Sequence, residues 1–204
     1  GSAVHAAAQK IIVKARKIAS HLLEAAEGDL VFDAGKFTVA GTDRSVDMVE
    51  VAKCAFTPAR LARGFEPGLY ETATYNDGGR PTFPNGCHVC EVEVDAATGT
   101  VELLRYTVFD DVGRVINPLL VKGQIHGGIV QGAGQALMED FVTDPESGQV
   151  LTGSFADYCM PRAADFCAFE VHGNAFPTAV NPLGVKGAGE SGTVGALAAV
   201  MSAI

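Results

Sequence analysis

Apolar residues recur at Ile11, Ala15, Ile18 and Leu22, the i, i+4, i+7, i+11 spacing of one helical face. The spacing predicts an amphipathic helix opening the chain, capped by Ser2 and stopped by Gly28. Leu30-Val31-Phe32 and Phe37-Thr38-Val39 flank Asp33-Ala34-Gly35-Lys36, which predicts a small hairpin. Ser45 is placed to cap a short helix through Cys54. Residues 56–86 are rich in Gly, Pro and Asn and show no period, so they read as a long ordered loop. A period of two follows: Cys90, Val92 and Val94 alternate with Glu91, Glu93 and Asp95, and Thr98-Gly99 turns the chain into a second strand, Val101 to Phe109. Asn117-Pro118 opens a helix expected to run to about Asp140, with Asn as cap and Pro at the first helical position. A second hairpin is expected around Asp144-Pro145-Glu146-Ser147-Gly148. Gly192 to Ile204 reads as a small-residue apolar helix with no stop signal, as though cut. The pattern is α+β, mixing helices with short antiparallel strand pairs, and shows no internal boundary over residues 1–204.

Composition narrows the function. At 204 residues and 48% apolar, the chain can bury a sizeable core and is not a disordered segment. Its 24 acids against 15 bases give a net charge of −9, which argues against a general nucleic-acid binder. No apolar run reaches the roughly 18 residues of a membrane span, and no signal-peptide pattern opens the chain. Five cysteines in no dense framework read as reduced thiols, hence a cytoplasmic setting.

Glycine is abundant, at 24 residues, and two segments are dense in it. In the first, Gly123, Gly127, Gly128, Gly132 and Gly134 fall inside the helix that Asn117 opens, where each costs about 0.8–1 kcal/mol relative to alanine. Gln124, Gly127, Gly128, Gln131 and Gln135 share one face of it. An amide stripe on bare backbone suits a large, flat, polar ligand; it equally suits close packing with amides at an interface. The second segment, Asn181 to Gly192, contains Gly187-x-Gly189-x-x-Gly192, a dinucleotide fingerprint in letters. Its context is wrong, because no βαβ unit and no later acid follow. It reads instead as a tight loop entering a helix N-terminus, where backbone amides meet anions. Glu190 in that loop is either a carboxylate held for proton transfer or a first-turn acid complementing the helix dipole.

Other features read as bland. Cys87-x-x-Cys90 stands without a second pair and enters a strand, so core thiols are expected and no metal ligand is assigned. Glu91 and Glu93 read as a solvated face, His126 as a packing or surface residue, and Asp110-Asp111 as turn chemistry.

Taken together, Asn117-Pro118, Gly123-Gln124-Ile125-x-Gly127-Gly128-x-x-Gln131-Gly132-x-Gly134 and Asn181-Pro182-Leu183-Gly184-Val185-Lys186-Gly187-x-Gly189-Glu190-x-Gly192 resemble the molybdenum hydroxylase family. This is the xanthine dehydrogenase, aldehyde oxidase and aerobic CO dehydrogenase group, in its molybdopterin-binding large subunit. Asn85-Gly86-Cys87-His88-Val89-x-Glu91, Asp111-Val112-Gly113, Asp157-Tyr158-x-x-Pro161 and the opening Gly1-Ser2-Ala3 belong to the same resemblance, which covers nearly the whole chain in order.

The resemblance implies the C-terminal portion of a molybdenum-cofactor-binding domain, itself part of a longer large subunit and inactive alone. It implies an oxidoreductase that hydroxylates an aldehyde or N-heterocycle, or oxidises CO, with oxygen derived from water. Glu190 takes the place of the family's general base and Gln124 that of its pterin contact. Gly127, Gly128, Ser2, Ala3, Lys186, Gly187 and Gly189 fall where the family lines molybdopterin, here as molybdopterin cytosine dinucleotide. The implied partners are the rest of the large subunit and separate 2Fe-2S and FAD modules, with a small-molecule substrate. The alternatives are a non-catalytic cofactor-binding or assembly module, an inactive fragment, or a nucleotide binder using the Gly187 segment.

Overall fold

The computed structural model describes all residues, 1–204, and they form two compact units, Gly1–Asp77 and Gly78–Ile204, where the sequence pattern shows no boundary. The class is α+β.

In the first unit, α1 (Ser2–Leu23) buries Ala15, Ile18, Ala19 and Leu23. The helix face is the expected one, but both ends differ. Gly1 occupies the cap position and Ser2 is already helical, so its hydroxyl makes no capping bond. The stop falls at Glu24, which takes a left-handed conformation (φ 46°), while Ala25 N–H closes onto the Ser20 carbonyl at 3.1 Å. Gly28 lies beyond, in a single 3-10 turn.

The hairpin forms as expected from β1 (Leu30–Asp33) and β2 (Lys36–Val39), with Ala34 and Gly35 both at positive φ in the turn. A third strand, β3 (Ser45–Asp47), pairs antiparallel with β2. Ser45 is therefore in a strand rather than a cap. Asp47 caps α2 (Met48–Ala55) instead, its carboxylate accepting from Glu50 N–H at 2.7 Å. Phe37, Val51, Cys54 and Ala55 complete this core.

In the second unit, β4 (Asn85–Val94) and β5 (Val101–Asp111) form the expected antiparallel pair, with a register shift at Glu91/Val92. A third strand, β6 (Phe169–Gly173), lies parallel to β5, so the sheet is mixed and not purely antiparallel. α3 (Pro118–Leu137) starts as predicted, with the Asn117 side chain accepting from Leu120 N–H. α4 (Ser191–Ala203) also forms as predicted. The hairpin expected around Asp144 reduces to a turn closed by one bridge, Thr143 to Val150. α3 and α4 pack on each other and on the sheet around Tyr106, Val108, Ile125, Ile129, Ala196 and Val200. No helix is long and apolar enough to cross a membrane.

Candidate cofactor and catalytic site

The five interior glycines of α3 do not share one task. A methyl at Gly128 would stand 2.9 Å from Thr193 N, and one at Gly132 would stand 2.8 Å from Thr193 O. One at Gly192 would stand 2.5 Å from Ile125 O. At these positions α3 and α4 meet backbone to backbone, so Gly128 is buried in the helix contact and closed to a ligand. Gly134 yields to Pro161. Gly123 and Gly127 are exposed, and an added methyl there meets nothing within 4 Å. Packing thus claims the Gly128 side of the helix, and open backbone remains at Gly123 and Gly127.

The amide stripe reaches the second glycine segment. Gln124 Nε2 donates to the Gly189 carbonyl at 2.8 Å. Thr193 Oγ1 donates to Gln131 Oε1 at 3.2 Å. The loop before α4 is fixed by further polar contacts. Asn181 Nδ2 donates to Val185 O at 2.8 Å, and Val185 N–H returns to Asn181 Oδ1 at 3.1 Å. Lys186 N–H donates to Val112 O at 3.0 Å, and Arg114 N–H donates to Gly184 O at 2.8 Å.

The Lys186 ammonium is turned inward onto the Asp111 carboxylate, both side chains being largely buried. Asp111 Oδ1 also accepts from the backbone N–H groups of Gly113 and Phe176, at 2.8 and 3.1 Å. The Lys186 hydrogen bond, with backbone donors adding to it, holds the Asp111 carboxyl below its ordinary range. Lys186 therefore spends its charge inside the chain, as an anchor of the loop.

Gly187 and Gly189 are exposed in that loop, and no atom comes within 3.8 Å of an added methyl at either. Glu190 follows at the N-cap position of α4. Its carbonyl accepts from Val194 N–H at 3.0 Å, while its carboxylate is exposed and makes no capping bond. This position, at the start of α4 and open to solvent, serves both of its sequence readings, a carboxylate available for proton transfer and an acid complementing the helix dipole. Ser2 and Ala3 lie in the first unit, half-buried in the first turn of α1.

Asp110 and Asp111, read as turn chemistry, are the last residues of β5; Asp111 does accept from the Gly113 amide two residues on, whereas Asp110 faces the core. The alternating row Tyr106, Val108, Asp110 is buried throughout, so a carboxylate in that row was the available signal. Of the two cysteines expected in the core, Cys90 is half-buried and Cys87 is exposed. His126 packs edge-on against Phe169 at 5.7 Å, and burial lowers its pKa.

Because Gln124 ties α3 to the loop, Gln124→Ala should loosen it at little cost in stability, about 0.5–1.5 kcal/mol for one exposed hydrogen bond. We expect faster amide hydrogen exchange at residues 187–190 with an almost unchanged melting temperature. Unchanged exchange there would count against the contact.

The second unit thus holds an amide-anchored glycine loop that presents an exposed carboxylate. A family model of the molybdopterin cofactor-binding domain matches residues 1–167, and the chain belongs to that family, within the molybdenum hydroxylases. It is 40% identical over 207 residues to the 6-hydroxypseudooxynicotine dehydrogenase complex subunit gamma of Paenarthrobacter nicotinovorans, covering 100% of this chain and 26% of the relative. It is 37% identical over 207 residues to the carbon monoxide dehydrogenase large chain of Hydrogenophaga pseudoflava, covering 100% of this chain and 25% of the relative. Among solved structures it is similar to quinoline 2-oxidoreductase from Pseudomonas putida 86, with a TM-score of 0.84 and 36% identity over 95% of this chain and 25% of that one. The chain thus spans about a quarter of the length of the curated relatives it matches.

Proposed function

We propose that the chain is the part of a molybdenum hydroxylase large subunit that binds molybdopterin, in its cytosine dinucleotide form, and carries the general base. The whole enzyme hydroxylates an aldehyde or N-heterocycle, or oxidises CO, with oxygen derived from water. The observation that supports this best is the Gln124–Gly189 hydrogen bond, which fixes a loop offering open glycine backbone beside the exposed Glu190 carboxylate.

The residues present fit such a cofactor. Gln124, Gly127, Gly187 and Gly189 offer amide and backbone groups to a flat, polar pterin. Gly128 and Lys186 act behind this surface, one by packing and one by anchoring. When bound, the molybdenum cofactor supplies the two-electron oxidation. Glu190 supplies the base: its carboxylate accepts the proton of the oxygen that attacks the substrate carbon. Partner chains or domains would hold the iron–sulfur and FAD groups that accept the electrons.

The test uses the full-length subunit with its partners. Molybdenum and pterin are assayed, the nucleotide released by acid hydrolysis is identified, and dye-linked turnover is measured with an aldehyde, quinoline, nicotine and CO. We expect molybdenum to be bound, CMP to be released, and one substrate class to be turned over. A subunit that holds no molybdenum, or a loaded one that turns over none of these, overturns the proposal.

A further inference from the structure

A second cluster of polar groups lies beneath α4, apart from the loop. His88 of β4 stands between two residues of β5, its Nδ1 2.7 Å from Tyr106 Oη and its Nε2 3.4 Å from Asp110 Oδ1. The side chains of His88 and Asp110 are 7% and 4% exposed, and Asp110 Oδ2 has no partner at all. A carboxylate sealed from water is costly unless a donor meets it, and His88 is the side chain placed to do so. Burial pushes the Tyr106 hydroxyl pKa up, so this phenol stays a neutral hydrogen-bonding group.

Two glycines make room for the cluster. A methyl at Gly86 would lie 2.0 Å from Asp110 Oδ1, and a methyl at Gly195 would lie 2.5–2.6 Å from three atoms of the His88 ring. The imidazole therefore rests against bare backbone of α4. Gly195 is five residues beyond Glu190, about 7.5 Å along the helix axis. α4 touches α3 through Gly192 and Ala196, and it touches the sheet through Gly195, so rigid neighbours set its depth on both contacts.

We propose that His88 is a positioning residue: held by Tyr106 and Asp110, its ring sets the depth of α4 through Gly195 and thereby fixes where the Glu190 carboxylate stands. This rests on the role proposed for Glu190. A displacement on the order of 1 Å at a reacting group can cost about 10²-fold in rate, so a small shift of α4 has a large readout.

The experiment is a double-mutant cycle in the full-length assembled enzyme, using a compound it turns over. Gly195→Ala should lower kcat about tenfold or more with KM within about twofold and molybdenum content unchanged, and it should speed hydrogen–deuterium exchange at the amides of residues 191–195. His88→Ala combined with Gly195→Ala gives the methyl room, so the double variant should regain exchange protection and part of the lost kcat. Independent, multiplying losses, or a Gly195→Ala enzyme with wild-type exchange and kcat, overturn the proposal. Should Gly195→Ala fail to fold, His88→Gln keeps an amide donor near Asp110 but loses the ring. It should lower kcat and speed the same exchange, and wild-type values for both overturn the proposal. Glu190→Gln, run in parallel, separates the two readings. Normal turnover there defeats the base assignment, while the exchange cycle still decides whether His88 places α4.

Discussion

Replacing Glu190 by glutamine should lower turnover of the full-length assembled enzyme by about 10²–10⁴-fold, the contribution typical of a positioned general base. Glutamine keeps the size and polarity of the side chain and removes its basicity. The carboxylate makes no capping bond to α4 and is exposed beside open glycine backbone, so little of the fold depends on its charge. Molybdenum content and melting temperature should therefore stay near wild type while kcat falls, the signature of an interaction made only in the transition state. An acid that merely complements the helix dipole would behave otherwise. It would cost a few tenths of a kcal/mol in stability and leave turnover nearly normal. Steady-state kinetics on enzyme assayed for bound molybdenum separates the cases, and activity within a few-fold of wild type ends the assignment.

Asp111→Asn should be the most damaging change to the loop's support. It leaves the Lys186 ammonium largely buried without its counter-charge. Removing one partner of a fully buried pair costs about 3–5 kcal/mol, and the partial exposure of this pair places the expected loss at about 2–3 kcal/mol. The pH dependence has a definite sign. The folded-state pKa of Asp111 is lowered, so its contribution is complete above the ordinary carboxylate range, near pH 4, and is lost as pH falls through the lower folded value. Chemical denaturation of wild type and Asp111→Asn at pH 7 should show the full gap. At pH 3 and below the gap should narrow, as wild type loses what the variant never had. A gap that stays constant or widens in acid would show that the pair does not carry this stability.

What the sequence made legible was what local chemistry decides. Asn117-Pro118 caps and starts α3 through bonds to its own next turn, and Asp33 to Lys36 turn the hairpin through two residues at positive φ. Where several residues compete for one role, the nearest plausible one misled. Ser45 looks like a cap, but Asp47 is the one whose carboxylate reaches Glu50 N–H. β6 was not legible, because its partner is β5 and the pair forms only once α3 intervenes. The same distance hid the anchors of the site. Lys186 and Asp111 are 75 residues apart, and nothing near either names the other. The glycine-rich surroundings of Gln124 and Glu190 single the two segments out, but that pattern left their roles open, and only the family resemblance proposes them. The split between Gly127, open, and Gly128, buried, depends on where α4 lies and could not be read from α3 alone.

The parallel pairing of β5 with β6 also bears on how the chain reaches its fold. Thr107 and Glu170 face each other across that pair, 63 residues apart in sequence. At synthesis rates of about 5–20 residues per second, β5 waits roughly 3–13 seconds for its second neighbour, with one edge unpaired meanwhile. Closing a connection this long also carries a loop-entropy cost before the contacts form, so the mixed sheet should be a late and slow event in folding. The interval between emergence of β5 and docking of β6 is the period in which the nascent second unit has most need of a chaperone.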